Sequence, residues 1–180
     1  MRKENELMRR GENLTPVGVV IRGLAAGAMG TLAMDGLWYA RYRKGGGHSA
    51  FGAWEFSAGL TWDQAGAPAQ VGKRLAEGFL QRPLPATAAP LTNNVVHWGY
   101  GMLWGALFGM VAGSARRRRP VYGPLFGALV WLSSYVSLPA AGLYKPLWEY
   151  DRQTLVKDLT AHLTYGSATW AALRVLLGRH

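Results

Sequence analysis

The chain has 180 residues, 49% of them hydrophobic, no cysteine and a formal net charge of +10. Its length allows one domain, and the missing cysteine excludes disulfides, thiolate metal sites and cysteine nucleophiles. The charge suggests nucleic-acid binding, but Lys and Arg collect at the edges of apolar segments, with no base-reading motif beside them, and no nucleic-acid partner is expected.

Met1–Arg10 is charged and no short apolar core follows with a small-residue cleavage site, so a signal peptide is not expected. Four apolar stretches then occupy most of the chain: Val17–Ala40, Leu91–Gly113, Val121–Leu143 and Leu155–Leu177. Each approaches the ~20 residues that cross a hydrocarbon core. A chain this short cannot hide four all-round apolar helices in a soluble globule, so an integral membrane four-helix bundle of the all-α class is expected. The mean hydropathy of +0.00 is low for such a protein. Its cause is the 24 Gly, 8 Trp and 8 Tyr, which lower the sum yet are common in or beside membrane helices.

The first stretch carries Gly23 and Gly27, and Asp35 in its last third. The loop Arg41–Pro90 is too long for a plain connection. Within it Gly45–Gly47 reads as a hinge. Pro68 suits a first helical turn, and Val71, Leu75 and Phe79 share one side of the helix that follows. That helix fits the membrane surface, with Trp54 and Trp62 as interfacial anchors, or equally the ends of the bundle. Gln81–Pro90, with three prolines, is read as extended.

In the second stretch Gly101, Gly105, Gly109 and Gly113 fall on one face, which lets another backbone approach closely. Contact within the bundle is one use of that face; a homo-oligomer or a membrane-protein partner is the other. Gly123 and Gly127 form a similar patch in the third stretch. His97–Gly101 (HWGYG) matches His162–Gly166 (HLTYG), with Trp104 and Trp170 following one position apart in register. Two pseudo-symmetric helical hairpins would explain the match.

Four crossings put both termini on the side of the Arg116–Arg119 turn. That turn holds four basic residues, with Arg2, Lys3, Arg9, Arg10 and Arg22 at one terminus and Arg174 and Arg179 at the other. Positive charge is retained in the cytoplasm, so both termini are expected there. Arg41, Arg43 and Lys44, beside the other end of the first stretch, argue the opposite way.

Asp35, His97 and His162 then fall at comparable depth on three helices. An ionisable group inside a membrane faces a partner or water, which makes each a site candidate. Asp158 stands four residues before His162, Asn94 three before His97, and Tyr100 and Tyr165 three after each histidine. Such an array can relay protons, hold a divalent metal through His97, His162 and Asp158, or place two imidazoles on a haem. It can also serve simply as a set of interhelical ties. No serine-histidine-aspartate spacing, phosphate loop or paired catalytic carboxylates appear, so enzymatic activity is not expected. Glu149 and Asp151 read as surface carboxylates, and His48 and His180 as loop and tail residues.

Leu138–Pro139, Gly142–Leu143, Pro146, Trp148–Glu149 and then His162 carry a resemblance, over Ser137–Leu173, to the YagU-like family of bacterial inner-membrane proteins. His97 with Asn94 fits that family's earlier histidine-bearing crossing. The Arg41–Pro90 loop departs from the pattern, and Ala161 stands where the family has glycine before the histidine. The resemblance covers about the C-terminal half. It implies a small inner-membrane protein connected with survival in acid, a family without an established biochemical activity.

The leading expectation is a protein that conducts or senses protons or a small ion through His97 and His162. A non-catalytic subunit or scaffold with glycine contact faces comes second, and a haem- or metal-binding protein third.

Overall fold

A computed structural model describes residues 15–56, 61–114 and 119–178. The charge argument at Arg2, Lys3, Arg9, Arg10, Arg116–Arg118 and Arg179 lies outside them, as do His180 and the surroundings of Gly113. Among the described residues the protein is all-helical, with six α-helices and no strand. These are α1 (Pro16–Lys44), α2 (Phe51–Glu55), α3 (Ala67–Leu80), α4 (Ala89–Ser114), α5 (Tyr122–Ala140) and α6 (Arg152–Leu176).

Local chemistry sets the ends of the long helices. Thr15 caps α1 by accepting from the Gly18 amide at 3.0 Å, and Pro16 follows in the first turn. Arg41, Arg43 and Lys44 lie in the last turn, where cations meet the negative end of the helix dipole. Asp151 caps α6, accepting from the Thr154 amide at 2.9 Å. The Gly45–Gly47 segment is a turn bonded back to Arg41, Tyr42 and Arg43 carbonyls rather than an open hinge. Gln81–Pro90 is shorter as an extended segment than expected, because Ala86–Ala88 form a 3-10 turn and α4 begins at Ala89.

Helix α1 packs antiparallel between α4 and α6, α5 packs on α6, and α3 packs on α4. Glycine makes these contacts. A Cβ on Gly105 would lie 2.5 Å from the Gly23 carbonyl oxygen and 2.6 Å from the Gly27 nitrogen. A Cβ on Gly166 would lie 2.7 Å from the Gly127 Cα and press on the Gly123 carbonyl. Gly101 sits against Thr31, and Gly109 against Gly23 and Val19. The glycine face of α4 is thus occupied by α1. Around these contacts the core holds Met34, Phe126, Val130, Ala161 and Tyr165, and further along Val19, Ala26, Leu173 and Leu177.

The two hairpins share a register that differs from the one the sequence repeat suggests. Gly105 sits between Gly23 and Gly27, and Gly166 sits between Gly123 and Gly127. That aligns Gly105 with Gly166, one helical turn away from the alignment of His97 with His162. Backbone contact sets the register, and the matching of side-chain types does not.

Large apolar side chains cover the outside. Val17 and Ile21 on α1, Leu103 and Val111 on α4, and Leu125 and Val136 on α5 are all exposed, Val111 by 70%. Pro16–Lys44 and Ala86–Ala112 are long and apolar enough to cross a membrane. Helices α5 and α6 do not meet that measure. Ser133, Ser134 and Ser137 dilute α5, as Arg152, Lys157, Asp158 and four threonines dilute α6.

Adding one methyl group tests the close contact. Gly105→Ala should lower stability by about 1–3 kcal/mol, because the obstructing atoms are backbone and cannot rotate away. Gly99→Ala, where a Cβ meets nothing within 4 Å, should leave it unchanged or raise it. Thermal unfolding of both purified variants checks this, and equal transition temperatures would remove the glycine argument.

Candidate functional site

Eight residues beyond Gly27 on α1 stands Asp35, and eight before Gly105 on α4 stands His97. The antiparallel pair brings them opposite one another. His97 Nε2 lies 2.9 Å from Asp35 Oδ1, with Asp35 only 4% exposed. A carboxylate only accepts, so Nε2 carries the proton and Nδ1 keeps the lone pair in the neutral ring. The other carboxylate oxygen, Asp35 Oδ2, is buried with no hydrogen-bond partner among the described residues.

Glu55, at the end of α2, joins this pair. Trp98 Nε1 donates to its Oε1 at 3.0 Å, and Asn94 Nδ2 donates to its backbone oxygen at 3.1 Å. Burial pushes the Glu55 carboxyl above its ordinary range, and the neighbouring Asp35 carboxylate adds to the rise. Two carboxyls and an imidazole therefore stand close together at this end of the helices. Tyr39, Tyr42, Phe51 and Trp54 pack into an aromatic cluster that holds α2 against the end of α1.

The second hairpin repeats the construction with different side chains. Eight residues beyond Gly127 stands Tyr135, and eight before Gly166 stands Asp158. Tyr135 donates its hydroxyl to Asp158 Oδ2 at 3.0 Å. His162 Nδ1 lies 3.0 Å from the Asp158 backbone oxygen and 3.3 Å from Oδ1, the i, i+4 contact that the spacing implies. Tyr144 follows in the loop; its phenol is pushed up to about 12 by burial and by the Asp158 charge. Arg41 donates to the Lys157 carbonyl at 2.8 Å and to Thr160 Oγ1 at 2.6 Å. This arginine ties α1 to α6, which accounts for a cation at that helix end without reference to membrane sidedness.

Both arrangements open on one cavity of about 440 Å³. His97 and Tyr100 line it from α4, Asp158 and His162 from α6, Ser134 and Ser137 from α5, and Met34 and Trp38 from α1. Helix α3 crosses its mouth. Gly72 seats α3 on Thr92 and Val96 of α4, and Arg74 donates to the Ala141 carbonyl just past α5. Leu75 and Phe79 of the same helix stay exposed, Phe79 by 87%. Trp62 lies beneath Lys73 and accepts from Gln70 through its backbone oxygen, so it belongs to the packing of α3.

Of the residues expected at the site, Asp35 and His97 meet directly, as do Asp158 and His162. The two histidines share the cavity without bonding one another. Tyr100 lines the cavity and lies 3.5 Å from Ser133. Asn94 instead anchors α2, and Tyr165 is a buried tie, donating to the Gly101 carbonyl at 2.6 Å. Among the described residues no three His, Cys, Asp or Glu side chains are gathered as a metal ion would require, so His97, His162 and Asp158 form no ligand set. For a haem, His97 Nε2 is already engaged by Asp35.

Glu55, Trp98 and Tyr135 were not singled out by the sequence. Glu55 gives no signal, since a carboxylate in a polar loop is ordinary. Tyr135 had one: it follows Gly123 and Gly127 at the spacing by which Asp35 follows Gly23 and Gly27.

Comparison of the chain with family models, with curated proteins and with solved structures finds no match to any of them.

Glu55 supplies a pH test. Its carboxyl titrates above the ordinary 4.5 in the folded protein, so the folded state holds this proton more tightly than the unfolded chain does. The resulting stability is fully present below the unfolded value and is lost as pH rises through the folded one. Glu55→Gln should flatten that part of the curve of unfolding temperature against pH. A variant with the wild-type slope would show that Glu55 is not the group involved.

Proposed function

We propose that this chain is a small multi-pass membrane protein that responds to protons through His97 and His162. The observation that carries this reading is one cavity lined by both imidazoles, with a carboxylate within 3.3 Å of each: Asp35 hydrogen-bonded to His97, and Asp158 beside His162. Supporting the membrane setting are the exposed apolar side chains on the outer faces of α1, α4 and α5 and the glycine-mediated contacts. The four long helices act as four crossings, with the Pro16, Ser114, Tyr122 and Leu176 ends on one side. Membership of the YagU-like family, a bacterial inner-membrane location and cytoplasmic termini belong to the same proposal.

Protonation is the switching step. In the neutral state Asp35 accepts from the His97 N–H, the Asp158 carboxylate accepts from Tyr135, and the His162 N–H goes to the Asp158 backbone oxygen. A further proton on either ring places an imidazolium beside a carboxylate. The ring then turns a lone pair facing the cavity into a donor, which draws water or a ligand group and loosens the α3 cover. Glu55 and Asp35 behind His97, with Arg41, Tyr135 and Tyr144 around Asp158, are the other titratable and charged groups in the surroundings.

Sensing is favoured over conduction by the far half of the structure. There Phe108 and Phe126 stack with centroids 4.2 Å apart, and Val19, Ala26, Leu173 and Leu177 fill the core. Beyond His97 and His162, the buried hydroxyls of Thr31, Tyr165 and Thr169 are each spent on a backbone carbonyl. A scaffold that binds partners through glycine faces has less support, since Gly101, Gly105 and Gly109 are already against α1.

Trp38 lines the cavity and Trp98 is bonded to Glu55, so tryptophan emission reports on the site. In liposomes the emission should shift between about pH 8 and about pH 5, the range in which histidine changes charge. His97→Gln/His162→Gln should abolish the shift, and proton flux should stay at the level of empty liposomes. Wild-type emission that is constant across this range would remove the reading.

A further inference from the structure

Helices α4 and α5 touch only through a few side chains, and two hollows lie in line between them. At one end is the cavity of His97 and His162. Tyr100 approaches Ser133 to 3.5 Å at the limit of that cavity, and one helical turn beyond, at Trp104 and Leu129, begins a separate apolar groove of about 410 Å³. Leu107, Val111, Leu125, Phe126 and Leu129 contribute to it, with Phe108 at its base. A chamber holding one carboxylate and two imidazoles, with an apolar groove beside it, matches the two ends of an amphiphile.

The chemistry of the chamber selects the head. His97 gives its N–H to the Asp35 carboxylate and His162 to the Asp158 backbone oxygen, so the neutral rings offer lone pairs and no donor. Ser134 and Ser137 spend their hydroxyl protons on the Val130 and Ser133 carbonyls and likewise offer lone pairs. Among the described residues Asp158 is the lining side chain with a full charge, and it remains 22% exposed. Trp38, Tyr100 and Tyr144 add aromatic rings to the wall. Arg41 and Arg74 lie at the rim with guanidinium donors on backbone carbonyls. Acceptors, one carboxylate and aromatic faces are what a positively charged nitrogen requires.

We propose that this cavity binds an organic ammonium ion bearing an apolar chain, its head beside Asp158 and its chain along the α4–α5 groove. This rests on the proton-responsive reading above and adds its ligand. A second proton on His97 or His162 places positive charge in the chamber and turns an acceptor into a donor. Acidification therefore expels the ammonium ion, with Asp35 and Glu55 partly offsetting the charge at His97.

Decyltrimethylammonium, decanol and decanoate are suitable probes, titrated calorimetrically into the protein in zwitterionic lipid nanodiscs, with empty discs as the reference. The ammonium should bind at one saturable site, about tenfold tighter than decanol, and weaken between about pH 8 and about pH 5. Asp158→Asn should weaken it by about tenfold, and Tyr144→Leu, outside the long helices, by several-fold. Decanol or decanoate binding as tightly as the ammonium would overturn the assignment, as would unchanged affinity in both variants. A pH shift in tryptophan emission without ammonium binding ends this inference alone, whereas constant emission with ammonium binding ends only the proton-responsive reading.

Discussion

Backbone contact through glycine, between α1 and α4 and again between α5 and α6, governs the rest of this structure. Glycine at a helix crossing lets two backbones approach closely, and the dispersion gained there favours one packing over others. Gly105 between Gly23 and Gly27, and Gly166 between Gly123 and Gly127, each set a helix separation that no side chain would allow. Each contact also fixes a register. From it follows the position, two turns away, of the polar pair at the end of each hairpin: Asp35 with His97, and Tyr135 with Asp158.

Close contact in two places leaves space in a third. Helix α1 has α4 on one flank and α6 on the other, while α5 is attached chiefly through α6. Helices α4 and α5 therefore stand apart, joined by Trp104 and Phe108 against Phe126. The gap becomes an apolar groove toward one end and a chamber with His97 and His162 toward the other. The segment between α1 and α4 supplies the cover for the chamber, which gives a physical role to a loop of otherwise unusual length. Its apolar residues divide accordingly: Ala69 and Gly72 face α4, and Leu75 and Phe79 are left outside.

Burial is most marked behind His97. Asp35 is nearly inaccessible and has one oxygen without a partner, and Glu55 beside it is held toward its protonated form.

The sequence by itself located the four long helices, because apolar length and glycine spacing are local properties, but not α2 or the ends: α1 runs on to Lys44, α5 stops at Ala140 and α6 starts at Arg152. Val17–Ala40 and Leu91–Gly113 lie within α1 and α4, and Asp158 with His162 lies on one face as an i, i+4 pair must. It also marked Asp35, His97 and His162 as unusual, since an ionisable group in an apolar stretch is costly wherever it ends up. Only the tertiary structure decided which of them meet. The one-turn offset between the His97/His162 repeat and the glycine register depends on backbone approach, which leaves no trace in the matching of residue types. Glu55 came to the site, and Asn94 and Tyr165 left it, for the same reason: a polar side chain bonds to whatever the packing brings within about 3 Å, and packing here is set by atoms that glycine does not have.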